Sequence, residues 1–102
     1  MASTIKNPVV VTMSKTVAEK LFHVLTRATD CDRLAHMVGY DIDNQDGSPS
    51  VVLELTRKEA LTMHRAALNA RQIDRIDPRA YTIIEKAFRD AYDARLRRSV
   101  GE

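Results

Sequence analysis

Lys58, Thr62, Arg65, Asn69 and Gln72 recur at alternating spacings of four and three residues. On a helix that rhythm places all five on one face. The face then carries two cations, a hydroxyl and two amides, and no acid. Such groups meet phosphates, nucleic-acid base edges or an acidic protein surface. An ordinary solvated helix face can have the same make-up, so the pattern marks a candidate surface rather than a defined chemistry.

Two further cations stand at equivalent places. Lys15 follows Ser14 and Arg57 follows Thr56, and each hydroxyl residue is well suited to cap a helix N-terminus. A cation there opposes the helix dipole, whose positive end favours anions. Cap hydroxyl, first-turn amides and cation together would make an anion pocket. The candidate partner- or phosphate-binding set is therefore Lys15, Arg57, Lys58, Thr62, Arg65, Asn69 and Gln72. The run Arg95, Arg97 and Arg98 lies where a helix would end, and dipole complementarity alone accounts for it.

Nothing comparable points to catalysis, a metal or a cofactor. His23, His36 and His64 have no paired ligand spacing, and with Cys31 they form no recognisable zinc pattern. The stretch Asp41 to Gly47, "DIDNQDG", looks like a calcium loop but fails its register. Counted from Asp41, glycine comes seventh instead of sixth and Val52 stands where the twelfth-position glutamate belongs. An acidic turn is the simpler reading. No nucleophile elbow, glycine-rich phosphate loop or zinc-protease motif occurs, and three glycines are too few for a backbone cradle around a nucleotide. Cys31 lies between Asp30 and Asp32, whose carboxylates disfavour a reactive thiolate. The expectation is a protein without enzymatic activity and without a cofactor.

Composition bounds the rest. A chain of 102 residues makes one domain. Aromatic residues are 5% of it and Trp is absent, so the core must be built from Val, Ile, Leu, Met and Ala. The net charge of +2 is too small to argue for a polyanion partner by itself. Its distribution says more, since residues 29–54 are acidic and residues 57–79 are rich in arginine. Such asymmetry suits a polar partner or head-to-tail self-association. A single cysteine excludes an internal disulfide framework. No signal-peptide pattern and no apolar run of membrane-spanning length is seen, so a cytoplasmic protein away from membranes is expected.

These residues have to be positioned by elements, and the chain repeats one kind of unit. Residues 8–28 and 50–70 each read as strand, hydroxyl cap and helix. Val9, Val11 and Met13 alternate with Val10 and Thr12, and Val51, Leu53 and Leu55 alternate with Val52 and Glu54. Thr56 and Glu59 fit a capping box. The first helix carries a stripe of Val17, Leu21, Val24, Leu25 and Ala28, and the second a stripe of Ala60, Met63, Ala67 and Ala70 flanked by Leu61 and Leu68. Between the units, residues 30–37 suggest a short helix. Val38, Tyr40 and Ile42 then alternate with polar residues as in a strand, and the turn formers of residues 44–49 suggest a hairpin joining 38–43 to 50–55. Asp77-Pro78 opens a last helix with apolar positions Tyr81, Ile84, Phe88, Ala91 and Leu96 and ion-pair spacings at Glu85/Arg89 and Asp93/Arg97. The predicted fold is α+β, in the order β-α-(short α)-β-β-α-α: a three-stranded antiparallel or mixed sheet with helices on one face. It occupies residues 8–98, between a loose arm (1–7) and a frayed tail (99–102).

A sheet so small leaves edges exposed, which favours a homo-oligomer, most simply a dimer. The functional expectation is a small non-enzymatic interaction protein that self-associates and binds another macromolecule, such as a phage or mobile-element accessory protein acting on a host system. The alternative is a nucleic-acid or nucleotide-binding module using the polar basic face of the second main helix.

Overall fold

The computed structural model describes residues 7–45 and 47–101. The chain runs β1 (Val9–Ser14), α1 (Lys15–Arg27), α2 (Asp32–Asn44), β2 (Ser50–Leu55), α3 (Arg57–Gln72) and α4 (Pro78–Gly101). The fold is α+β, with four helices and a two-stranded antiparallel sheet. Val9 pairs with Leu55 and Ser14 with Ser50. Val9, Val11, Met13, Val51, Leu53 and Leu55 form the inner face of this ribbon and are buried. Thr12, Val52 and Glu54 lie on the outer face and are exposed. One continuous core joins the inner face to all four helices, with Leu21, Leu25, Val38, Met63, Ile84 and Phe88 among its largest fully buried side chains.

The sheet has two strands, not three, and the order is β-α-α-β-α-α. The predicted strand over residues 38–43 is the second half of α2, and the predicted hairpin into 50–55 is a helix-to-strand connection. The reason is an ambiguity of period. Val38 and Ile42 share a face in a strand and equally in a helix, because residues four apart coincide in both. Tyr40 separates the two readings. A strand would bury it with Val38 and Ile42, yet it is 64% exposed, while Leu34, Ala35, Val38 and Ile42 make a buried helical stripe. Gly39, unfavourable in a helix interior, stands where α1 and α2 approach closely. A Cβ there would come within 2.9 Å of the Phe22 ring.

Both strand-to-helix corners are capped. The Ser14 hydroxyl accepts from the Val17 N–H at 3.3 Å. Thr56 and Glu59 close a capping box, with the Thr56 hydroxyl accepting from the Glu59 N–H (3.1 Å) and the Glu59 carboxylate from the Thr56 N–H (2.9 Å). Thr56→Ala removes the hydroxyl that accepts from the Glu59 N–H, while the backbone N–H of residue 56 can still donate to the Glu59 carboxylate. It is expected to lower stability by about 1 kcal/mol, read as a lower urea midpoint with an unchanged m-value.

The outer edge of β2 is closed by a side chain. The Gln45 amide donates to the Val52 carbonyl (3.0 Å) while its oxygen accepts from the Val52 N–H (2.8 Å). Nearby, Asp41 on α2 lies beside Glu54. Burial first, and then the Glu54 carboxylate, push the Asp41 carboxyl above its ordinary value of 3.8. The folded chain therefore holds this proton more tightly than the unfolded chain. Stability falls as pH rises from 3.8 through the raised value and stays lower above it. Asp41→Asn is expected to raise the melting temperature at neutral pH and to leave it unchanged below the ordinary carboxyl value.

Helix α4 begins at Pro78, with the Asp77 carboxylate accepting from the Arg79 N–H at 3.2 Å. It packs along β1 and α3 through buried Ile84, Phe88 and Ala91. Leu96, placed on the buried face by sequence, is 58% exposed, as are Leu61 and Leu68 in part. Glu85 and Arg89 form the predicted ion pair, whereas Asp93 and Arg97 do not pair. Arg95 and Arg98 donate to the carbonyls of Asn7 and Pro8, tying α4 to the start of β1. Apart from Asn7, the predicted N-terminal arm lies outside the described residues.

Candidate functional site

The C-terminal half of α1 and the face of α3 opposite it enclose a groove of about 360 Å³. From α1 it takes His23, Val24 and Arg27, from α3 it takes Thr62, Arg65, Ala66, Asn69 and Ala70, and the cap residue Ile73 follows on the same side. The α3 residues recur at spacings of three and four and so share one helix face. The α1–α2 turn contributes Thr29 and Cys31, and Arg75 closes the groove beyond the end of α3. Val24, Cys31, Ala66 and Ala70 are buried and form its floor.

Two turns set its ends. Asp30, between α1 and α2, has φ 60°, and Asp74, after α3, has φ 56°. Aspartate tolerates this left-handed region better than most residues. After α3 the pattern is a Schellman motif. The Arg75 N–H donates to the Ala70 carbonyl at 2.8 Å and the Asp74 N–H to the Arg71 carbonyl at 3.4 Å. The chain thereby folds back over the last turn of α3, and Arg75 is brought to the groove.

Electrostatics define this site more than shape does. Three guanidiniums line the groove (Arg27, Arg65 and Arg75), and no carboxylate does. None of the three forms an ion pair among the described residues. Other cations do pair, as Lys20 does with Asp77 and Arg33 with Glu59. Helices α1 and α3 both end here, and each C-terminus contributes about half a negative charge. The two helix ends and the nearby Asp30, Asp32 and Asp74 carboxylates offset part of this charge, but among the side chains that line the groove itself the guanidiniums meet no carboxylate. Its positive side chains outnumber the +2 of the whole chain. A concave wall of one sign concentrates its field and attracts counter-charge.

The remaining polar groups are few. The Thr62 hydroxyl donates to the Lys58 carbonyl at 2.9 Å, which leaves it mainly an acceptor toward the groove. The exposed Asn69 amide makes no hydrogen bond among the described residues. Burial first, then Asp30 and Asp32, push the Cys31 thiol above its ordinary value. It is a protonated, buried part of the floor at neutral pH and a poor nucleophile.

The structure thus brings together Thr62, Arg65 and Asn69 from the predicted face of α3. Lys58 and Gln72 are exposed on α3 but do not line the groove. Lys15 and Arg57 lie apart from it and from each other. They begin helices at opposite ends of the antiparallel ribbon, whose strands are each roughly 17 Å long. The helix starts are also occupied. The Lys15 N–H donates to the Pro49 carbonyl at 3.1 Å, and Glu59 places a carboxylate at the start of α3. Arg27 and Arg75 were not among the sequence candidates. Arg27 has the look of a residue that simply complements the C-terminus of α1. Arg75 depends on a left-handed aspartate that no local signal announced.

Among the described residues, no group of three or more His, Cys, Asp or Glu could hold a metal ion, and no helix is long and apolar enough to cross a membrane. No family model matches the chain, and comparison with curated proteins and with solved structures returns no significant match.

Proposed function

We propose that the protein is a small non-enzymatic binding protein that holds an anionic partner macromolecule in the α1–α3 groove. The observation that carries this reading is the set Arg27, Arg65 and Arg75, which line one concavity without an acid among them and without internal ion pairs. A guanidinium needed only for stability gains from a carboxylate partner, and among the described residues none of these three forms an ion pair. Titration with a fluorescent single-stranded oligonucleotide and with polyglutamate tests the proposal. Affinity for at least one should fall steeply between about 50 and 200 mM salt. Absence of binding to both at the lower salt removes it.

Self-association is a second reading, favoured by one feature of the ribbon. Gln45 closes the outer edge of β2 at Val52, whereas Val10 and Thr12 of β1 make no hydrogen bond outside the ladder among the described residues. An edge with unpaired amides can pair with another copy. A monomeric mass in sedimentation at high protein concentration would exclude it.

A further inference from the structure

We infer that the groove seats one nucleotide unit, with its phosphate against Arg27, Arg65 and Arg75 and its base over the floor formed by Ala66 and Ala70, within reach of Asn69. This rests on the reading of the groove as an anion site and narrows it to one chemistry.

The number of guanidiniums argues for phosphate. A carboxylate has two oxygens and is satisfied by one planar fork, while a phosphate group presents more oxygens and a larger charge. Three unpaired forks around one small space therefore suit phosphate better than a single side-chain carboxylate. The floor argues for more than a bare anion. Val24, Ala66 and Ala70 are apolar and buried, and Ile73 at its margin is 64% exposed. The alanines hold side-chain bulk to one methyl each, so the α3 wall is shallow enough to receive a flat ring. An inorganic ion would leave that surface wet. Asn69 then supplies what a base edge needs, a donor and an acceptor on one planar amide. The volume of about 360 Å³ falls in the range of small-ligand pockets and is far too small for a duplex or a docked helix. The same unit can arrive free or as part of a strand.

The test uses the full chain and calorimetric titration at low salt with inorganic phosphate, adenosine, each of the common nucleoside monophosphates and a short single-stranded oligonucleotide. At least one monophosphate is expected to bind about tenfold or more tightly than either inorganic phosphate or adenosine. Arg65→Ala should weaken it about tenfold or more with an unchanged melting temperature, because Arg65 is exposed and unpaired. Asn69→Ala should reduce the difference between bases. Lys58→Ala, on the same helix but outside the groove, should bind like the parent. An oligonucleotide that binds no more tightly than the monophosphate assigns the free nucleotide. One that binds much more tightly assigns the strand, and both outcomes support a seated nucleotide. Monophosphates that bind no better than phosphate overturn the inference, even where the oligonucleotide or polyglutamate still binds and the broader reading survives. If no anion binds at all, both fall together.

Discussion

Phe88→Ala is expected to cost about 3–5 kcal/mol, the range for emptying a fully buried aromatic site. Phe88 has no exposed surface and lies at the junction of α3 and α4, its ring stacked on His64 with centroids 5.4 Å apart and planes within 4°. Tyr92 lies against the same pair at 6.3–6.4 Å. Phe88 is the largest fully buried side chain among the described residues, and this cluster fixes α4 against α3. Neighbouring positions cannot collapse into the gap easily, because the facing surfaces of α3 are alanines and Met63. Domains of this size are stable by only about 5–15 kcal/mol. The variant should melt roughly 15–30 °C lower, as calorimetry would record. Leu96→Ala, on the same helix but 58% exposed, should change little. A loss under about 1 kcal/mol at Phe88 would mean that α4 is not held on the core as described.

The second large effect concerns binding. Arg65→Glu is expected to reduce affinity for a polyanion about 100-fold at low salt, with the slope of log affinity against log salt falling by about one to two units. The substitution removes one guanidinium and places a carboxylate on the wall of the groove that Arg27 and Arg75 also line, where it competes with an anionic ligand. The fold should not suffer, because Arg65 is exposed and glutamate is a good helix former. Unchanged binding in a variant with an unchanged melting curve would exclude the groove as the binding surface.

The parts of the fold legible in the sequence were those with one possible period. Val9 to Met13 and Val51 to Leu55, short β-branched runs with apolar residues at every second position, form the ribbon, and the hydroxyl corners at Ser14 and Thr56 start α1 and α3. Residues 38–43 were misread because Val38 and Ile42 fit two periods, and because Gly39 argues against a helix unless the neighbouring α1 is known to be close. The candidate site was legible in half. Thr62, Arg65 and Asn69 share a face that any helix would give them. That Arg27 stands across from them is a fact of how α1 packs on α3, and Arg75 arrives through a Schellman turn made with aspartate in place of glycine. The strands preceding Lys15 and Arg57 run antiparallel, which sends the two helix N-termini to opposite ends of the ribbon and apart from the groove.

The most direct measurement is a titration of the isotopically labelled protein with a single-stranded oligonucleotide, followed by amide nuclear magnetic resonance. Shift changes should concentrate in residues 23–31 and 62–75 and leave the ribbon, 9–14 and 50–55, nearly unmoved. Saturable changes centred on the ribbon or on the starts of α1 and α3, with the groove silent, would contradict the account.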